Sequence, residues 1–399
     1  MNVRLSTIIE ASEYPSGIST QTDNPDLLEV PQLSLECLGS AWLKDDVVQA
    51  SVRLVATSSP DPMVVGESLV TVNTNSSRPL RSVVHDLSDA STIVLPLFTG
   101  NHWMLVIVRD EGTRRFEAEL YDSLRSAAHL QHAQQCLDAF QRVYFPASEP
   151  DPVYLTSVSC PQQTNDTDCG VMTIAFQVYL VAGYPMSTEI DTSLWRLLVC
   201  IMNRLYTCAA TVSSDPVAIV DELRGLFREH FINCEQLLKP PILPEVLPPP
   251  VYHFSTSSAY RVEDTIKHTD NILRWQLEVS EFAKQQAKER VPAWSRTLQH
   301  VVQTCKLFTK LKNLSIPVSV RLASKHQQQK SEVGMYAHAA EASDDRVRDD
   351  AAQASRRLRR VREQEQRLKS AMVAWDLLIE VLGEAELALR ERIAVAQRP

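Results

Sequence analysis

One cysteine in this chain stands where a nucleophile can be made. Between Cys160 and Gly183 the chain reads CPQQTNDTDCGVMTIAFQVYLVAG, a polar, turn-prone loop over 164–168 followed by apolar residues at Val171, Ile174, Ala175, Val178 and Val181. That spacing predicts one buried helix face, with Gly183 as its stop. Cys169 then sits at the helix N-terminus, where unpaired amides and the helix dipole favour a thiolate. A thiolate nucleophile also needs a base and a group that orients the base. Both occur upstream in a predicted hairpin, where 92–98 and 103–109 are apolar runs, 115–121 alternates apolar with polar, and Asp110-Glu111-Gly112-Thr113 is turn chemistry. Folding the last two strands about Glu111 and Gly112 sets His102 level with Tyr121 and Asp122. The pattern leaves the one-residue register open, so imidazole and carboxylate pair if it puts them on one face. The chemistry on offer is acyl transfer through Cys169, with His102 as base and Asp122 as its partner.

The elements that must position these groups read as an α+β domain with a short central sheet flanked by helices. Ser40 is an N-cap for a helix over 41–56, carrying the stripe Trp42, Leu43, Val47, Val48, Val52 and Val55. Residues 58–91 are loop-rich, with one short strand over 68–72. A helix over 126–144 precedes three prolines (146, 150, 152) and a strand over 153–158. Helices over 193–210 and from Asp215-Pro216 to about Phe231 close the unit. The domain plan is a disordered arm over 1–34, a catalytic domain over 35–238, a proline-rich linker over 239–252 and a helical region over 253–399. Within the last, helices are expected over 263–290 and 294–313, with a polar break near 324–332. From Val347 to Ala396 apolar residues recur in steps of four and three. That period predicts a coiled-coil segment over 344–397 and self-association or a partner helix through it.

With 399 residues, 44 % hydrophobic and 22 % charged, the chain is long enough for a sizeable core and a second unit. A formal charge of −9 argues against nucleic acid as the partner. No apolar run reaches the roughly 18 to 20 residues of a spanning helix, and the first residues lack a signal-peptide pattern. The expected location is therefore intracellular. The cluster Arg356-Arg357-Leu358-Arg359-Arg360 reads either as a nuclear import signal, favouring nucleus over cytoplasm, or as a solvated helix face. Eight cysteines without CxxC pairs form neither a disulfide scaffold nor a metal site.

At these residues the chain resembles the Ulp/sentrin-specific cysteine proteases of the papain-like superfamily, which process SUMO and cleave it from its conjugates. The matching pieces stand in the family's order: Leu38-Gly39-Ser40-Ala41-Trp42-Leu43-Lys44-Asp45-Asp46, His102-Trp103, Tyr121-Asp122-Ser123, Cys160-Pro161-Gln162-Gln163 and Asp168-Cys169-Gly170. The resemblance covers roughly 35 to 235. It implies a papain-like, adenain-like fold, with His102 as base, Asp122 as orienting partner, Cys169 as nucleophile and Gln163 as oxyanion donor. It also implies that Trp42 and Trp103 wall a tunnel for a Gly-Gly tail and that Asp45 contacts the modifier. The partner is SUMO or another ubiquitin-like protein with its conjugates, and no metal or cofactor is called for. Two other readings use the same residues: an acyltransferase with the same triad, or an inactive scaffold that binds modifiers.

Overall fold

The computed structural model describes residues 41–61, 63–65, 69–70, 91–99, 101–110, 116–144, 153–210, 216–232, 262–340 and 345–398. The chain divides into two compact units, 1–30 and 31–399, and every described residue lies in the second. The expected arm over 1–34 and the linker over 239–252 lie outside the described residues.

Helix α1 (Asp45–Ala56) begins four residues later than its apolar stripe suggests. Lys44 is its cap in extended conformation, and Asp45 and Asp46 occupy the first turn, where acidic side chains suit the positive helix end. Trp42 and Leu43 therefore lie in the segment that leads into the helix. Strands β1 (Met63–Val65) and β2 (Leu69–Val70) follow, then β3 (Thr92–Phe98), β4 (Trp103–Asp110) and β5 (Phe116–Tyr121). Helix α2 (Ala127–Tyr144) and strand β6 (Leu155–Ser157) complete a six-stranded mixed sheet. β3, β4 and β5 form an antiparallel meander, while β1 and β2 run parallel to β3, and β6 parallel to β5.

The hairpin forms, but not in the expected register. Leu105 pairs with Tyr121 and Asp110 with Phe116, while the turn expected about Glu111 and Gly112 lies outside the described residues. The side-chain pattern alone does not fix which residues stand opposite one another along a ladder.

Alternation along the strands gives the sheet two covered faces. Met104, Val106, Val108, Ala118 and Leu120 pack with Ala133, Leu137 and Phe140 of α2. Trp103, Leu105, Ile107 and Tyr121 join the larger core on the other face. At the centre of that core lies α3 (Cys169–Ala182), which ends at Gly183 in the left-handed conformation with φ 69°. Sequence spacing suggests one buried face, yet only Leu180 escapes full burial. A helix apolar all round belongs inside, and α3 lies among α1, the sheet, α4 (Thr192–Ala210) and α6 (Val262–Ala340). Helix α5 (Pro216–Phe227) continues into a π-turn over Arg228–Ile232.

Helix α6 is continuous through Pro292, Pro317 and the stretch where a polar break is expected, and α7 (Asp345–Ala396) returns along it. His326 meets Glu365 at 2.7 Å, and Phe308 stacks on Trp375 at 5.4 Å, so the two helices run antiparallel. The heptad stripe of α7 (Ala354, Leu358, Val361, Leu368, Trp375, Leu382, Leu389) is buried, and α6 is the helix against which it runs. From Leu368 onward further positions, including Ala371, Ala374, Leu378, Val381 and Ala385, are buried as well. There α7 also packs against α4. Trp375 Nε1 donates to Ser58 Oγ at 2.9 Å, just beyond α1.

Candidate active site

His102 ends the short turn between β3 and β4, which is closed by Thr99 N–H donating to the His102 carbonyl at 2.9 Å. Asp122 is the first residue beyond β5. Both are 2 % exposed, and His102 Nε2 lies 2.7 Å from Asp122 Oδ1. The structure therefore pairs the predicted base and carboxylate even though the register between their strands differs from expectation. Their positions lie just past the ends of the β4–β5 ladder, so neither is held to a ladder partner.

Asp122 is held further. Its Oδ1 also accepts the Leu124 N–H at 2.9 Å, and Oδ2 lies 3.0 Å from His129 Nδ1. Burial alone would push the Asp122 carboxyl up; hydrogen bonds from His102 and Leu124, with a contribution from His129, outweigh it and hold the group below its usual range. An ionised acceptor requires the proton on His102 Nε2, which leaves Nδ1 as the basic nitrogen.

Cys169 is the first residue of α3 and is 1 % exposed. Burial pushes its thiol up, and Asp168 adds to that, while the backbone amides of Trp103, Gly170 and Cys169 itself work in the opposite direction. The helix terminus by itself thus does not yield the thiolate that its position suggests. A thiolate here needs a positive neighbour, and the Trp103 amide at the sulfur brings the His102–Trp103 strand entrance beside the start of α3. Gly170 allows that approach: a Cβ there would lie 3.1 Å from Leu43 Cβ, 3.2 Å from Val48 Cγ2 and 3.3 Å from Trp103 Cδ1.

The loop before Cys169 is braced at both ends. Gln163 N–H donates to the Ser123 carbonyl at 2.9 Å and Ser123 Oγ donates to Gln163 Oε1 at 2.7 Å, which ties this glutamine to the Asp122 loop. Gln163 Nε2 donates to the Asn165 carbonyl at 2.5 Å. Neighbouring Gln162 donates to the Asp122 carbonyl at 3.0 Å. Asn165 Nδ2 donates to Asp168 Oδ2 at 2.7 Å, and Arg196 of α4 donates through Nε to Asp168 Oδ1 at 2.8 Å. The same guanidinium reaches the Ala41 carbonyl at 2.9 Å and the Thr167 carbonyl at 3.1 Å.

The residues assigned to the substrate tunnel occupy unlike settings. Trp42 is 40 % exposed, whereas Trp103 is buried with Nε1 donating to the Leu43 carbonyl at 3.3 Å. Asp45 is exposed and accepts the Asp46 N–H at 3.0 Å. Sequence reasoning missed His129 and Arg196. His129 stands in the first turn of a helix where only the apolar spacing was informative. Arg196 left a usable signal, a lone charge inside the apolar stripe Leu194, Leu197, Leu198 and Ile201.

Residues 42–194 match the family model of the Ulp1 protease family, C-terminal catalytic domain. No curated protein matches the chain. Among solved structures the chain is similar to the Chaetomium thermophilum Ulp1-like SUMO protease catalytic domain, with 20 % identity, 41 % of this chain and 73 % of that chain covered, and a TM-score of 0.33. It is similar to the C-terminal Ulp1 protease domain in complex with Smt3, the yeast ortholog of SUMO (19 %, 40 % and 75 % covered, TM-score 0.30). The Xanthomonas campestris effector XopD bound to ubiquitin gives 17 %, with 46 % and 97 % covered and a TM-score of 0.32. These likenesses are distant, and the family match carries the assignment. Residues 42–194, which hold the buried His102–Asp122 pair and Cys169 at the start of α3, thus form a cysteine peptidase domain that matches the Ulp1 protease family.

Proposed function

We propose that the chain hydrolyses the bond after the C-terminal Gly-Gly of SUMO or a related ubiquitin-like modifier, in maturation, in release from lysine, or in both. The observation that carries this reading is the 2.7 Å His102–Asp122 pair beside the first turn of α3, inside the segment that matches the family.

Proton transfer from Cys169 to His102 Nδ1 gives a thiolate and an imidazolium, which Asp122 stabilises. The thiolate attacks the carbonyl of the terminal glycine, and the oxyanion is met by Gln163 and the Cys169 backbone N–H. Its collapse breaks the C–N bond as His102 protonates the leaving amine. A water deprotonated by His102 then hydrolyses the thioester, returning the thiol and a glycine carboxylate. Trp42 and Trp103 wall the tail and admit glycine by excluding larger side chains, and Asp45 contacts the modifier.

The test is a panel of ubiquitin-like modifiers carrying a reactive C-terminus. One of them labels the wild-type chain, and Cys169→Ala abolishes labelling while thermal unfolding is unchanged. Labelling that persists in Cys169→Ala overturns the proposal. Trp42→Ala lowers kcat/KM on the preferred modifier at least about tenfold; full activity there rejects the tunnel role.

A further inference from the structure

His129 is used by nothing in the mechanism above, yet it touches two of its members. Its Nδ1 lies 3.0 Å from Asp122 Oδ2, and its ring stacks on His102 with centroids 4.5 Å apart and planes 13° from parallel. Among the described residues, Oδ1 of Asp122 takes His102 and Leu124, while Oδ2 takes His129. His102, Asp122 and His129 offer donor atoms all within 4.8 Å of one another, a spacing that a metal ion can also use. Ring nitrogens bind a metal along lone pairs in the ring plane, and two nearly parallel planes do not converge on one ion. They do suit two N–H donors, each meeting its own oxygen of one carboxylate.

We propose that His129 is a positioning residue for the nucleophile's base: it fixes the plane of the Asp122 carboxylate through Oδ2, the oxygen that His102 does not use, and holds the His102 ring by stacking. This rests on the reading of Cys169, His102 and Asp122 as the triad. A carboxylate tethered at one oxygen turns readily about its last side-chain bond, which is broad and roughly two-fold. Tethering the second oxygen removes that freedom. The Nε2–H···Oδ1 bond then keeps one direction and His102 Nδ1 stays the bare nitrogen that takes the thiol proton. His129 is also partly exposed, with 20 % of its side chain open to solvent against 2 % for Asp122. It stands between that carboxylate and water, where excluding solvent strengthens the hydrogen bonds behind it. The sequence brings this about by starting α2 five residues after Asp122, so the first turn of that helix returns His129 to the carboxylate.

Two substitutions separate the donor from the ring. His129→Phe keeps a ring to stack on His102 and loses the N–H; His129→Asn keeps an N–H near the Nδ1 position and loses the ring. The readout is alkylation of Cys169 by iodoacetamide at pH 6 and pH 10, located by peptide mass spectrometry on the full chain, which needs no substrate. At pH 6 an ordinary thiol is almost wholly protonated, so fast reaction reports the imidazolium–thiolate pair. We expect His129→Phe to react about tenfold more slowly than wild type at pH 6 and equally fast at pH 10. His129→Asn should recover to within about threefold of wild type. On the modifier that labels best, His129→Phe lowers kcat by a similar factor with KM unchanged. Wild-type rates in His129→Phe at pH 6 overturn the proposal. So does an equal fall at both pH values with a lowered melting temperature, which is a packing defect, and so does a His129→Asn variant as slow as His129→Phe. A wild-type Cys169 no faster at pH 6 than a free thiol would instead sink the triad, a different failure seen before any variant is made.

Discussion

Asp168 stands immediately before Cys169, and its charge is answered from another helix. The ion pair with Arg196 is 7 % exposed on each side, and the guanidinium also donates to the Ala41 and Thr167 carbonyls. One side chain therefore ties together the segment before α1, the cysteine loop and α4. Removing it leaves a buried carboxylate without its countercharge, so Arg196→Met should destabilise the chain by about 3–5 kcal/mol in urea unfolding. Burial raises the Asp168 carboxyl, but hydrogen bonds from Thr192, Asn165 and Arg196 hold it below its ordinary value of 3.8. Asp122 is likewise held down. A depressed folded value means stability that is fully present above the unfolded value and lost as pH falls through the folded one. Acid unfolding should therefore set in below about pH 4, and Asp168→Asn paired with Arg196→Met should flatten that part of the profile. Gln163→Ala should lower kcat about a hundredfold or more with little change in KM, as loss of an oxyanion donor does. The His102–Asp122 contact and the place of Cys169 at the start of α3 were legible because rare residue types stood beside turn signals in a characteristic order. His129 and Arg196 were not, because their partners are set by helices whose contacts no local pattern records.

Elements were legible where their periodicity was strong and their neighbours few. Strand β3 and the start and stop of α3 fall where the pattern puts them. The register between β4 and β5 does not, since alternation of apolar and polar residues leaves the sliding of one strand along the other open. The supposed break near 324–332 is helix because its Lys, Gln and Ser residues are tolerable helix formers, and half-buried Leu322, His326 and Val333 continue the stripe against α7. At the start of α3 the close approach of Leu43, Val48 and Trp103 to Gly170 leaves any added side chain crowded. Gly170→Ala should cost about 1–3 kcal/mol despite its better helix propensity, as overpacking does. Tryptophan fluorescence would report the accompanying shift of Trp103, and a stabilised variant would show that the neighbours yield.

On the scale of the whole molecule, the family match ends at Leu194, yet the core does not. Trp195 packs on Phe308 at 5.9 Å and Phe308 on Trp375 at 5.4 Å, an aromatic column from α4 through α6 to α7. Arg224 pairs with Glu380 and Arg228 with Glu384, but these pairs are solvent-exposed and add little. The apolar column is the stronger term. Trp375→Ala should cost about 3–5 kcal/mol, and a chain ending at residue 239 should show a broad, non-cooperative thermal transition by circular dichroism. A truncated chain that melts sharply would show that the hairpin is dispensable. Because Trp375 reaches Ser58 across 317 positions, the shell around α3 closes only when α7 arrives. A ribosome making this enzyme at roughly 5–20 residues per second would carry it unfinished for many seconds after Cys169 has emerged. Nascent chains stalled before α7 should hold a sulfhydryl with no proteolytic power, so activity waits on the synthesis of a helix some two hundred residues beyond the cysteine.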